Sequence, residues 1–130
     1  MRYPVYNFSV YQGADEEFPF TFYSELDGVE SPIDLSSCSF IMTLRQAYNK
    51  PVMDVLTSDN KRILIGTIID GVFTETNNNA NTALIKFPHE VTINFTFPSA
   101  VYDLFKINTE DNRELLLQGA ITINKSVSYG

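Results

Sequence analysis

Tryptophan is absent, and cysteine and histidine occur once each, as Cys38 and His89, in a chain of 130 residues. A single thiol excludes an intrachain disulfide, so packing has to hold the fold, and nothing points to an oxidising compartment. Cys38 lies in Ser36-Ser37-Cys38-Ser39-Phe40 and reads as a small apolar residue at the start of a strand. One His and one Cys are too few for most zinc sites and most nucleophilic triads. A Cys38–His89 pair is the one thiol–imidazole combination available; the plainer reading of His89 is a loop-flanking surface residue.

Basic residues are also scarce. Nine Lys and Arg stand against sixteen Asp and Glu, a formal charge of −7, and Lys61-Arg62 is the one adjacent basic pair. Such a surface repels phosphate backbones and anionic lipid, so neither nucleic acid nor a membrane is expected as a partner. No apolar run approaches the roughly 20 residues that cross a bilayer. The stretch from Met1 to Asn7 lacks the apolar segment of a secretory signal, so the Asn-x-Ser/Thr triplets at Asn7, Asn94 and Asn124 are read as chance. The six Gly are isolated, which removes a phosphate-binding loop.

Hydrophobic residues make up 44% of the chain, enough for a core, and ten Phe and seven Tyr supply much of it. Their dominant period is two, that of a strand. Tyr6, Phe8 and Val10 alternate with Asn7 and Ser9; Phe18, Phe20 and Phe22 with Pro19 and Thr21; Phe40, Met42 and Leu44 with Ile41 and Thr43. Ile63 and Ile65 flank Leu64, and Ala83, Ile85 and Phe87 alternate with Leu84 and Lys86. Leu115, Leu117, Ile121 and Ile123 share one parity, with Gly119 in register as a bend or bulge. Turn chemistry separates these runs: Gln12–Asp15, Leu26-Asp27-Gly28, Tyr48–Pro51, Ser58–Asn60, Asp70-Gly71, Asn77–Asn81 and Thr109–Asn112. The expectation is an all-β fold, one domain over 1–130, with Phe8, Phe20, Phe40, Met42, Leu104, Leu117 and Ile121 buried. In Pro88–Phe97 the period of two favours a strand, although Pro88 also suits the opening of a short helix.

The carboxylates gather in two turns, Asp15-Glu16-Glu17 and Glu110-Asp111. Two such turns at one end of a sandwich can hold Ca²⁺, but no Asp-x-Asp-x-Asp-Gly spacing is present, and solvated turn charge is the preferred reading. A two-carboxylate glycosidase needs a cleft that loops this short do not build. No metal, cofactor or catalytic residue is expected, and the protein is not expected to be an enzyme.

Tyrosine is the residue type left to explain. Tyr3, Tyr6 and Tyr11 cluster near the start and Tyr129 lies near the end. Exposed Tyr is enriched at protein interfaces, so these four are the candidate partner-binding residues. The run Val5–Tyr11 carries no charge, which leaves it poorly protected at an open sheet edge. Two readings stay open for it: a strand completed by a partner protein, or a strand paired internally with Tyr3 capping the core.

The order of turns and strands resembles that of small tail-associated structural proteins of bacteriophages. The residues that carry the resemblance are Phe8–Asp15 before the Phe18–Phe22 strand, Pro32–Cys38 leading into Ser39–Arg45, Leu56–Asn60 leading into Ile63–Ile65, and Tyr102–Leu104 followed by an acidic turn and Leu115–Ile123. Each phrase is weak alone; their order and spacing together span nearly the whole chain. The resemblance implies an antiparallel immunoglobulin-like β-sandwich of about seven strands, without the Trp and Cys pair of antibody domains, and a short helical turn at Pro88–Phe95. It implies a structural virion protein, an adaptor in the tail, baseplate or fibre-attachment region, assembled in the host cytoplasm. Its partners would be other virion proteins, with homo-oligomerisation in the particle allowed. A carbohydrate-binding module at a fibre tip and a capsid-surface decoration protein are the alternatives.

Overall fold

The computed structural model describes residues 5–125. In chain order they form β1 (Phe8–Tyr11), β2 (Glu16–Thr21), β3 (Tyr23–Leu26), β4 (Val29–Pro32), β5 (Ser39–Arg45), β6 (Val52–Thr57), β7 (Ile63–Ile69), β8 (Val72–Glu75), β9 (Thr82–Phe87), the short helix α1 (His89–Thr92), β10 (Ser99–Ile107) and β11 (Arg113–Asn124). The fold is all-β. A five-stranded sheet runs β1-β11-β10-β5-β6, a four-stranded sheet runs β2-β9-β7-β8, and β3-β4 pair only with each other. Among the described residues, no helix is long and apolar enough to cross a membrane.

The two larger sheets share one core. Val10, Phe40, Met42, Leu44, Leu56, Leu104 and Ile121 from the first meet Ile63, Ala83, Ile85 and Phe87 from the second, all at 2% exposure or less. Alternation puts them there: β5 buries Phe40, Met42 and Leu44 and turns Ile41, Thr43 and Arg45 outward. An aromatic cluster closes one side, where Phe8 lies 4.6 Å from Phe18 and 5.4 Å from Tyr102 between ring centroids. Arg62, on the β6–β7 connection, ties the sheets together. It donates to both carboxylate oxygens of Asp54 on β6, at 3.2 and 2.7 Å, and through Nε to the Lys86 carbonyl on β9.

Several expectations are corrected. Among the described residues eleven strands form rather than about seven, and the sheets are not wholly antiparallel, because β1 runs parallel to β11. The chain crosses from β1 directly into the other sheet, so no hairpin dictates the direction in which β1 is paired. Strands β4 and β8 lack clean alternation because they lie at or beyond the sheet margins and bury no residue, and the edge strand β6 buries only Leu56. The segment after Pro88 is the helix α1 and not a strand. Pro88 occupies the N-cap, the Thr92 hydroxyl donates to the Ala14 carbonyl, and Phe95 is buried edge-on against Phe87. Six of the seven expected core residues are buried, whereas Phe20 is half-buried. It sits on the margin strand β2, with its ring 5.3 Å from that of Tyr6.

The irregularity in the last strand lies at Leu116 rather than Gly119. Leu104 pairs with Leu117 and Phe105 with Leu115, so Leu116 is the extra residue. The bulge shifts the parity: Leu116 and Leu117 are both buried and Leu115 is only partly so. Gly119 serves a different purpose, since a Cβ there would overlap the Tyr6 carbonyl.

Candidate functional site: the free edge of the five-stranded sheet

Among the described residues β1 is an outermost strand of its sheet, and the structure shows how it is seated. Phe8 through Tyr11 face Ile121 through Asn124, and Val5 bridges to Gln118 in the same register. The Tyr6 and Gln12 N–H groups donate to the Gln118 and Asn124 carbonyls. Even-numbered residues therefore point their backbone groups at β11, and odd-numbered residues point theirs at the free side.

Between the bridge and β1 the ladder is replaced by side chains. The Tyr102 hydroxyl donates to the Tyr6 carbonyl at 2.6 Å, and the Ala120 N–H donates to Asn7 Oδ1 at 2.9 Å. Burial first, and then the neighbouring Tyr6, push the Tyr102 hydroxyl far above its ordinary pKa, so it stays a donor. Below β1, Gln12 is buried and donates from Nε2 to the Ile93 carbonyl. The inner side of this segment is thus fixed at several points. On the outer side the Tyr11 N–H donates to a Glu16 carboxylate oxygen at 2.6 Å, which closes one end of the edge. Ser9, exposed between the buried Phe8 and Val10, presents its N–H and C=O outward.

The candidate tyrosines separate. Tyr11 is 55% exposed and projects from the outer face of β1. Tyr6 is 49% exposed but lies on the inward parity, stacked on Phe8 and edge-on to Phe20, so it closes the rim of the core as well as facing solvent. Tyr3 and Tyr129 fall outside the described residues. Val5–Tyr11 is therefore paired internally on one side, and among the described residues no strand pairs with its other side.

Of the expected acidic turn only Asp15 lies outside a strand; Glu16 and Glu17 open strand β2, and all three line a cleft of about 370 Å³ with Lys61, Arg62, Lys86 and Pro88. Their carboxylates diverge to three partners. Asp15 accepts from the His89 N–H and lies 2.9 Å from His89 Nδ1, Glu16 takes the Tyr11 N–H, and Glu17 lies 3.8 Å from Lys86 Nζ. The bond from the His89 backbone holds Asp15 below its ordinary pKa. The Asp15 hydrogen bond, and then the Glu90 charge, hold His89 above its own. His89 Nε2 faces Glu90 at 3.2 Å, so both ring nitrogens meet carboxylates and neither is presented to Cys38 or to a hydroxyl. Among the described residues no three Asp, Glu, His or Cys side chains gather in a way that could hold a metal ion.

Sequence reasoning missed the roles of Tyr102, Gln12 and the Arg62–Asp54 pair. A buried Tyr is bound to seek an acceptor, but the acceptor is 96 positions away. Gln12 read as a turn residue, and Arg62 as part of an isolated basic pair. Comparison with models of known protein families finds no match, and comparison with curated proteins finds none either.

Proposed function

We propose that this protein is a non-catalytic structural adaptor of a bacteriophage particle, in the tail, baseplate or fibre-attachment region, joined to a neighbouring virion protein by strand addition at β1. The two larger sheets are read as the layers of an immunoglobulin-like sandwich that carries extra strands. Support for the particle comes from the ordered turn-and-strand phrases from Phe8 to Ile123. The observation that carries the contact is the asymmetry of β1, whose inner side is tied down while Ser9 and Tyr11 face outward from an uncharged run. An open edge of this kind pairs readily with another chain, and a strand already fixed in place binds without a further ordering cost.

The test is incorporation into particles assembled in a host that supplies the variant protein. Ser9→Pro removes an outward N–H, breaks no internal bond and asks of Phe8 only the extended conformation it already has. Tyr11→Ser removes the exposed ring. Both variants should fold, and incorporation should fall by about tenfold or more. Wild-type incorporation of both would overturn the proposal. If the unaltered protein binds a glycan array and the variants bind it equally, the carbohydrate-module alternative takes its place.

A further inference from the structure

Two four-residue phrases that differ only in their first aliphatic residue, Leu26-Asp27-Gly28-Val29 and Ile69-Asp70-Gly71-Val72, each make a two-residue hairpin. In both, the Asp and the Gly have positive φ, 53° and 77° in the first and 51° and 79° in the second, the geometry of a type I′ turn. In each the flanking apolar pair is exposed: Leu26 77%, Val29 63%, Ile69 54% and Val72 63%.

The two hairpins leave the same end of the four-stranded sheet. Thr21 of β2 and Gly66 of β7 both pair with Thr82 of β9, and both strands run antiparallel to β9. They therefore point the same way. β7 continues for three residues past that row into the β7–β8 turn. Beyond Thr21, Phe22 donates to the Asn81 carbonyl and the chain becomes the β3–β4 arm, every residue of which is exposed. A lone two-stranded hairpin is only marginally stable in water.

The charge carried by the two hairpins is one-sided: neither 23–32 nor 66–75 contains Lys or Arg, while Glu25, Asp27, Glu30, Asp70 and Glu75 fall within them. On one face of the β3–β4 arm Glu25 sits directly opposite Glu30, with Tyr23 beside them. Like charges directly opposite across a ladder destabilise it. A guanidinium between the two carboxylates would relieve the repulsion, and the Tyr23 ring offers it a surface for stacking. The opposite face offers Leu26 and Val29.

We infer that the two Asp-Gly hairpins form a two-pronged docking surface for a protein segment that presents Arg beside apolar side chains. This surface is separate from the β1 edge, and its failure would leave the edge reading standing. The probe is a short synthetic peptide alternating Arg with Leu, titrated into the whole protein and followed by amide chemical shifts. A peptide alternating Glu with Leu is the control. Shifts should be confined to residues 23–32 and 68–73, and absent with the Glu peptide. The double variant Glu25→Gln, Glu30→Gln should weaken binding about tenfold. Because it removes a repulsion, its melting temperature should hold or rise, so weaker binding cannot be ascribed to unfolding. Three results would overturn the inference: shifts spread over all the acidic turns, shifts centred on Phe8–Tyr11, or equal binding by the variant. Binding to neutral phosphatidylcholine vesicles through Leu26 and Ile69, without peptide binding, would also overturn it in favour of a lipid surface.

Discussion

β1 and β3 are both four-residue strands near the start of the chain, and they differ in almost every other respect. β1 buries Phe8 and Val10, is paired in register with β11, and is flanked by bonds from Tyr102, Asn7 and Gln12. β3 buries nothing and pairs only with β4. The difference shows that regular backbone pairing is not what separates a structural strand from a presented one. What separates them is whether alternate side chains reach the core and whether the ends are tied by groups from elsewhere in the chain. By that criterion the inner half of β1 belongs to the fold, whereas its outer half and the whole β3–β4 arm face solvent.

The contrast can be broken most forcefully at Phe8. Phe8→Ala should cost about 3–5 kcal/mol in urea denaturation, because the ring is surrounded by Phe18, Phe20, Phe87 and Tyr102. A loss under about 1 kcal/mol would show that β1 is not seated as described. Tyr102→Phe keeps the ring and removes one donor, leaving the Tyr6 carbonyl without it; the expected cost is about 1–2 kcal/mol in the same assay.

A smaller and pH-dependent effect is expected at His89, which ties α1 to the turn after β1. Its pKa in the folded protein lies above 6.5, so its contribution is present below that value and is lost as pH rises through the folded pKa. The Asp15 pKa lies below 3.8, so its contribution is present above that value and is lost as pH falls through the folded pKa. The melting temperature of His89→Ala should therefore fall furthest below that of the unaltered protein at roughly pH 4 to 6, with the gap closing at alkaline pH. A gap independent of pH would contradict the ion pair. At the other extreme, Leu26→Ser should change stability by less than about 0.5 kcal/mol, since Leu26 is 77% exposed. A cost above about 1 kcal/mol would mean that the arm belongs to the fold.

Local chemistry in the sequence made part of this visible. The Asp-Gly pairs mark both tight hairpins because those two residue types tolerate positive φ. The alternation in Ser39–Arg45 marks a central strand because one face of it is buried, whereas Thr82–Phe87 reads as a strand through the apolar parity of Ala83, Ile85 and Phe87 although Thr82 and Leu84 are buried as well. Strand β10 was obscure because its outward residues include Val101 and Phe105, which blur the alternation of Ala100, Tyr102 and Leu104. In α1 the apolar spacing of Val91, Ile93 and Phe95 imitates a strand, and only the tertiary bonds of Thr92 and His89 decide for a helix. The seating of β1 was not legible at all. It depends on a parallel pairing and on hydrogen bonds that join residues about 100 positions apart, which no local pattern encodes. The candidate tyrosines were singled out by their places near the two ends of the chain, so the double role of Tyr6 at the core rim was missed although the alternation set it on the parity of Phe8 and Val10.

Native-state amide hydrogen exchange tests the division between seated and presented backbone most directly. The Tyr6, Phe8, Val10 and Gln12 amides, which face β11, should exchange slowly. Ser9, which faces outward, should exchange quickly, and so should the amides of β3 and β4. On binding the partner strand proposed above, Ser9 should become protected while the β11-facing amides change little. Uniformly slow exchange across Phe8–Tyr11 in the isolated protein, or arm amides as slow as those of β11, would contradict the account.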